Sequence, residues 1–298
     1  MTKVLVLGTT GMLGAMVHDW LRRDSSLDVS ATARSLDEAR ELGFGSAASL
    51  QKVDAEAGET PDLDGFDWVV NCIGIIKPYI RDDNRAEVRR AIEVNSLFPM
   101  RLAAAAEESG AKVLQIATDC VYSGRDGNYD ESATHDATDA YGKTKSMGEV
   151  VSSSIRHLRC SIIGPQLKGK DSLLNWFLKQ EKGASLNGFR NHQWNGVTTL
   201  HYAKICGAVI KNGVELPQVQ HVVPTGDISK ANLLRSFAKE FDRGDLTIND
   251  VDAGSVIDRR VQTKNAATNR GIWSAAGYDV PPTVEEMVHE MATYEFLR

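Results

Sequence analysis

Cysteine is scarce in this 298-residue chain, and the four present, Cys72, Cys120, Cys160 and Cys206, form no CxxC pair. Such separations fit neither a zinc spacing nor a disulfide framework. The thiols are therefore expected to be reduced, in the cytoplasm. No apolar run reaches the roughly 18 residues that a bilayer span needs, so no membrane partner is expected. The strand-like run Lys3–Leu7 begins almost at Met1, and no signal peptide is expected before it. Seven histidines include no HExxH, and no metal is implied. An excess of positive charge is missing too: 34 Lys plus Arg against 40 Asp plus Glu leave a net charge of −6. That balance argues against a nucleic-acid partner, whose phosphates need a basic face, but leaves room for a local basic pocket around a phosphorylated small molecule. What remains, 42% hydrophobic and 25% charged residues, is the mix of a globular protein with one large domain or two modest ones.

The first half alternates short apolar runs with helical patterns. Val4–Leu7, Val29–Ala33, Trp68–Cys72, Val113–Ala117 and Leu158–Ile163 read as buried strands. Met12–Arg23, Arg85–Glu108 and Tyr141–Ser154 read as helices, the second of them stopped by Ser109-Gly110. Continuous apolar strands separated by helices predict a parallel sheet covered on both faces. With right-handed crossovers this becomes an α/β fold with a doubly wound parallel (Rossmann) sheet. After Gly164-Pro165 the pattern loosens. Helices are expected at Leu173–Gln180, Leu200–Lys211 and Lys230–Phe241, around an irregular Gly/Asn-rich segment at 183–196. A last helix follows Thr283, with Glu285 and Glu286 in its first turn. The expected division is a dinucleotide-binding domain over 1–165 and a smaller mixed α/β substrate lobe over 166–298, with some of its segments returning to the first domain.

Gly8-Thr9-Thr10-Gly11-Met12-Leu13-Gly14 joins the first strand to the first helix. Glycines there permit a tight turn and a close approach of backbone to a pyrophosphate, and the helix N-terminus supplies N–H donors. The second strand ends in Arg34-Ser35 where an NAD-selective site would place an acid. A cation and a hydroxyl suit a ribose 2′-phosphate, so NADP(H) is expected as the preferred cofactor and NAD(H) as the alternative. Asp54 stands where it meets either the adenine or only solvent. Thr118 lies at the end of a strand, followed by Tyr141xxxLys145. Four residues apart on one helix, Tyr141 and Lys145 face the same way. A cationic Lys145 beside the phenol is expected to lower its pKa and make Tyr141 an acid or base near neutrality.

These residues, with Asn71-Cys72-Ile73-Gly74, Asn95 and Thr118–Gly124, resemble the extended short-chain dehydrogenase/reductases, and within them the branch of dTDP-4-dehydrorhamnose reductase-like nucleotide-sugar reductases. The resemblance covers about the first 165 residues and continues more loosely through Gly196-Val197-Thr198-Thr199. It implies that Tyr141 donates a proton to the substrate carbonyl oxygen as hydride arrives from the nicotinamide. Lys145 would hold the nicotinamide ribose and tune Tyr141, and Thr118 would hydrogen-bond the substrate oxygen. It places Gly8, Thr10, Gly11, Met12, Leu13 and Gly14 around the pyrophosphate, and Asn71, Cys72 and Gly74 at the cofactor cleft. Asn95 either braces the site or packs within its helix. A nucleoside-diphosphate sugar is the implied substrate, with Cys120, Asn195, Arg259 and Arg260 toward it, and a homodimer is compatible with the helices. Lys77, Arg81, His192 and Trp194 are weaker candidates.

Ala117 and Cys120 depart from the branch's usual residues, as does the stretch 75–80. A cysteine at 120 keeps an epimerase or epimerase-reductase open as the alternative, since a thiol of lowered pKa abstracts a proton beside a ketone. The histidine that would partner it is missing from 164–170, which holds only lysines of that kind. From another class, a non-catalytic NADP-binding regulatory subunit would keep the fold without the chemistry.

Overall fold

A computed structural model describes residues 1–44, 49–167 and 172–296. Its centre is a seven-stranded sheet. The first six strands in chain order are β1 (Thr2–Leu7), β2 (Leu27–Ala33), β3 (Leu50–Lys52), β4 (Trp68–Asn71), β5 (Lys112–Ala117) and β6 (Ile155–Arg159). The order across the sheet is Val219–His221, β6, β5, β4, β1, β2, β3, and every pairing is parallel. This is the doubly wound sheet read from the sequence. Its order reverses between β1 and β4, so the chain leaves a crevice at their carboxyl ends.

The alternation along β1 shows why two layers of helix are needed. Val4 and Val6 enter one apolar cluster with Leu13, Met16 and Val17 of α1 (Met12–Leu21). Leu5 and Leu7 enter another with Phe98, Leu102 and Ala106. Successive side chains point to opposite faces, and both faces are dry. The short α2 (Leu36–Glu41) covers the β2–β3 edge.

The helix expected over Arg85–Glu108 is three pieces: α3 (Arg85–Ile92), one π-helical turn over Glu93–Leu97, and α4 (Phe98–Ser109). Pro99 supplies the reason. It has no N–H for the carbonyl four residues back, on Asn95, and its ring crowds that position. Gly110 ends α4 in the left-handed conformation, φ +79°. The helix expected over Tyr141–Ser154 is α5 (Ala140–Met147) and stops there. At Gly148 a Cβ would lie 1.9 Å from the Asn95 carbonyl oxygen. The two backbones therefore cross too closely for any side chain, and the β-branched and serine run that follows has little helix propensity. The strand expected over Leu158–Ile163 is likewise two, β6 and Ile162–Ile163.

Beyond β6 come α6 (Leu173–Leu178), α7 (Thr199–Asn212), α8 (Lys230–Glu240), α9 (Ala266–Ala275) and α10 (Val284–Ala292). The segment 183–196, expected to be irregular, carries two short strands. Ser185–Phe189 pairs with Thr247–Val251, and His192–Trp194 lies between Ile228–Ser229 and Ile257–Asp258. Helix α7 packs on α1, and Val219–His221 closes the sheet edge, so the second half shares the first half's core. Thr283 caps α10 in a full capping box with Glu286. Among the described residues no helix is long and apolar enough to cross a membrane.

Candidate active site

The glycine turn closes on itself at the head of β1. Gly8 sits at φ +77°, and its N–H donates to Thr32 Oγ1 at 3.1 Å. A Cβ on Gly14 would come within 2.2 Å of the Gly8 carbonyl oxygen, so only glycine lets the helix pack onto the turn. Gly11 caps α1 with no side chain, and no acid stands in the first turn, which leaves the end of the helix open to an anion. Thr10, Met12 and Leu13 belong to this turn. The cradle therefore fits a pyrophosphate on its own geometry.

At the end of β2, Arg34 is exposed and has no hydrogen-bond or ion-pair partner among the described residues. Ser35 is already in use, because its hydroxyl accepts from the Glu38 N–H at 3.2 Å as the cap of α2. Asp54 is a turn organiser: one carboxylate oxygen accepts from Glu56 N–H at 3.0 Å, and its own N–H donates to Glu59 at 2.7 Å.

The loop after β4 is fastened at several points. Asn71 is fully buried; its Nδ2 donates to Gln115 Oε1 at 2.7 Å and its Oδ1 accepts from Ile73 N–H at 3.0 Å. Both ends of its amide thus shape the loop from inside rather than face a ligand. Cys72 follows, its thiol pushed up by burial. Gly74 lies over the site, since a Cβ there would be 3.5 Å from Asn95 Oδ1 and 3.9 Å from Lys145 Nζ. Asn95 bonds both backbone groups of Ile75 and also reaches Thr144 Oγ1 at 3.3 Å. Of the two roles read for it, bracing is the one its bonds perform. Lys77 pairs with Asp139 at 2.6 Å and Arg81 with Glu87, so neither cation is free.

Thr118 ends β5, and its hydroxyl accepts from the Cys120 N–H at 3.2 Å. It donates to Asp119 Oδ1 at 3.2 Å, and it lies close enough to Tyr141 to favour the ionised phenol. Asp139 starts α5 by accepting from the Gly142 N–H at 2.8 Å. Gly142 itself is forced, because a Cβ would lie 2.4 Å from the Cys120 carbonyl oxygen. This close approach brings Tyr141 against Thr118. Sequence reasoning missed Asp139, although an aspartate just ahead of a helical pattern is an ordinary start signal.

The lowering of the Tyr141 phenol expected from Lys145 does not occur. Burial, then Cys120 and Asp119, push the phenol above its ordinary value, opposed by Thr118. Lys145 Nζ donates instead to the Ile116 carbonyl at 3.1 Å. Burial pulls its ammonium down to about 8, with Glu149 opposing. Glu149 is in turn held by the buried Arg159, through a 2.9 Å bond from Nε and a second from Nη2. The tyrosine is thus a neutral proton donor. Cys120 is not activated either: burial and then Asp119 push its thiol up to about 12.

Arg259 and Arg260, alike in sequence, differ in place. Arg259 forms no ion pair among the described residues. Its Nε donates to the Tyr122 carbonyl at 3.1 Å, and its charge acts on Asp119, Cys120 and Asp139 beside Tyr141. Arg260 is neutralised by Asp258 and Asp227, each at 2.6 Å. Asn195 is buried and satisfied at both ends by the Val261 backbone, at 2.7 and 2.9 Å, so it positions this strand segment. His192 bonds the Ser255 carbonyl at 3.2 Å, and the Trp194 ring covers Gly196. Lys168, Gly169 and Lys170, where a partner histidine for Cys120 was sought, lie outside the described residues.

A family model described as the RmlD substrate binding domain matches residues 1–295. No curated protein matches by sequence. Among solved structures, a dTDP-4-dehydrorhamnose reductase from Clostridium acetobutylicum is similar at 18% identity and TM-score 0.71, over 97% of this chain and 98% of that one. One from Bacillus anthracis in complex with NADP has 17% identity and TM-score 0.72, over 98% of both chains. UDP-glucuronic acid 4-epimerase from Bacillus cereus, in complex with UDP-glucuronic acid and NAD, has 15% identity and TM-score 0.70, over 98% of this chain and 99% of that one. At such identities the likeness is one of fold.

Proposed function

The chain belongs to the family described as the RmlD substrate binding domain, and from that premise we propose that it reduces a keto group on a nucleoside-diphosphate sugar, with NADPH as the preferred hydride donor and NADH as the alternative. The observation that carries the reading is a neutral, half-buried Tyr141 beside Thr118, one helical turn from a buried Lys145, at the end of a sheet that opens on a glycine cradle. The names of the similar structures, reductases among them and one bound to NADP, support it.

NADPH, when bound, supplies the hydride. Gly8, Gly11 and Gly14 would hold its pyrophosphate, Arg34 its 2′-phosphate, and Lys145 beside Gly74 its ribose. The protein's own part is the proton. Thr118 and Tyr141 both present hydroxyls to a carbonyl oxygen, polarising it as negative charge develops. Tyr141 then gives up its proton, and its raised pKa keeps that proton in place until the oxygen has become more basic. The nearby ammonium of Lys145 stabilises the resulting phenolate. Arg259, unpaired and beside the site, suits the substrate diphosphate.

The epimerase-reductase alternative needs a base at Cys120, and a thiol held near 12 is protonated at neutrality. The substrate lobe is proposed to begin near residue 166. The exposed Ile92, Leu97, Met100 and Met147 on the outer side of α3 to α5 support a homodimer through these helices. A cytoplasmic location goes with this reading. The test is a panel of nucleoside-diphosphate 4-keto sugars with NADPH, following loss of nicotinamide absorbance and the product formed. One alcohol per NADPH consumed is expected. No consumption with any member of the panel overturns the proposal.

A further inference from the structure

Asp119 follows Thr118 at the end of β5, and its carboxyl is left unused by the proton path above. The residue is 3% exposed and forms no ion pair among the described residues. Its Oδ1 lies 3.2 Å from Thr118 Oγ1. The cation that faces it, Arg259, is held on the Tyr122 and Ser123 carbonyls at 3.1 and 3.4 Å. The other titratable groups around it carry no positive charge: Cys120 beside it, Tyr141 from α5 and Cys160 after β6. Burial outweighs Arg259 and the neighbouring donors, and raises the carboxyl above its ordinary value.

The hydrogens of Thr118 can be counted. A hydroxyl has one hydrogen and two lone pairs. One lone pair already accepts from the Cys120 N–H at 3.2 Å. The hydrogen is claimed both by Asp119 Oδ1 and by the carbonyl oxygen of the substrate. An ionised Asp119 can only accept, so it takes that hydrogen and the substrate oxygen goes without. A protonated Asp119 reverses the bond and donates to the second lone pair. Both lone pairs of Thr118 are then filled, and its hydrogen is free to point at the substrate. Charge argues the same way. A carboxylate here opposes the alkoxide that develops beside it, and it opposes the Tyr141 phenolate too.

We propose that Asp119 works as a neutral carboxylic acid and is a positioning residue for the reduction, its O–H donating to Thr118 Oγ1 so that the Thr118 hydrogen meets the carbonyl oxygen. The inference rests on the reductase reading above. No covalent bond is made or broken at Asp119 during turnover: the proton that reaches the substrate is that of Tyr141, and the carboxyl keeps its own.

Infrared difference spectra between the wild type and Asp119→Asn, both with NADPH bound at neutral pH, test the protonation directly. A carbonyl-stretch band of a protonated carboxyl, shifting in deuterium oxide, is expected in the wild type and absent from the variant. A carboxylate band in its place overturns the proposal and leaves the reductase reading intact. Kinetics on a nucleoside-diphosphate 4-keto sugar test the role. Asp119→Ala should lower kcat about tenfold, the worth of a hydrogen bond in an active site, with NADPH affinity unchanged. Asp119→Asn keeps an N–H donor for Thr118 and should recover most of that loss. The wild-type kcat should fall as pH rises through the ionisation of Asp119, and that limb should be missing from Asp119→Asn while the one from Lys145 stays. In Thr118→Val the carboxyl has nothing to orient, so adding Asp119→Ala should lower kcat no further. Asparagine as damaging as alanine, or a pH profile that asparagine leaves unchanged, overturns the positioning role. A wild type that binds NADPH but reduces no keto sugar overturns both readings.

Discussion

Asn95 holds Ile75 by both ends of its side-chain amide: Oδ1 accepts from the Ile75 N–H at 2.9 Å, and Nδ2 donates to the Ile75 carbonyl at 3.0 Å. Asn95 sits in the π-helical turn, Ile75 in the loop after β4, and Gly74 above Lys145 is the loop residue between them and the site. The turn thereby fixes the loop that lies over Lys145. Asn95→Ala should cost about 2 kcal/mol of stability, because two bonds to Ile75 and one to Thr144 are lost and a partly buried peptide is left unpaired. Asn95→Asp should recover only the bond from the Ile75 N–H. Denaturant midpoints of the two variants check this, and equal midpoints for wild type and alanine would remove the bracing role.

Tyr141 and Lys145 should separate in their effects. Tyr141→Phe removes the proton donor and is expected to lower kcat by at least ~10³-fold while NADPH binds as before. Lys145→Ala should weaken NADPH binding as well as turnover. Because burial places the Lys145 ammonium near 8, the cation is present below that pH and lost above it, so kcat should decline on the alkaline side as pH rises through about 8. Cofactor titrations and a pH–rate profile decide both points. Near-normal turnover by Tyr141→Phe would end the catalytic assignment.

Arg34 is exposed and unpartnered where a 2′-phosphate would lie. Arg34→Ala should reduce the NADPH-over-NADH preference by about ten- to hundred-fold, the worth of a charged hydrogen bond. The ratio of kcat/KM for the two cofactors is the readout, and an unchanged ratio takes Arg34 out of the site.

The raised thiol of Cys120 predicts an enzyme that does not epimerise the carbons flanking the ketone. No solvent deuterium should appear at the carbons flanking the ketone, and Cys120→Ser should turn over within a few-fold of wild type. Deuterium incorporated by the wild type and lost in Cys120→Ser would make the protein an epimerase-reductase.

Arg259 and Arg260 should fail in different assays. Arg259→Ala is expected to raise KM for the nucleotide sugar about tenfold or more at unchanged stability, if its free guanidinium meets the diphosphate. Arg260→Ala should instead lower the melting temperature, since Asp258 is left half-buried without its cation. Similar KM values for wild type and Arg259→Ala would relocate the anion site.

The sequence alone determined the parts that depend on near neighbours in the chain. Strand and helix order followed from apolar periodicity, the glycine turn from a spacing that only small residues satisfy, and the Tyr141/Lys145 pair from one turn of helix. It misjudged helix length where distant backbone intrudes: Pro99 deprives Asn95 of its bond, Gly148 crosses Asn95, and the long helices break there. What only the tertiary structure decided is which charges are free and which way protons shift. Lys77 is spent on Asp139, and Arg260 on Asp258 and on Asp227, which lies 33 residues away, while Arg259 meets only backbone carbonyls and forms no ion pair among the described residues. Tyr141 is raised rather than lowered because burial outweighs a lysine that bonds a carbonyl instead of the phenol. Charge pairing and desolvation are set by what the fold brings alongside, and spacing along the chain carries no record of that.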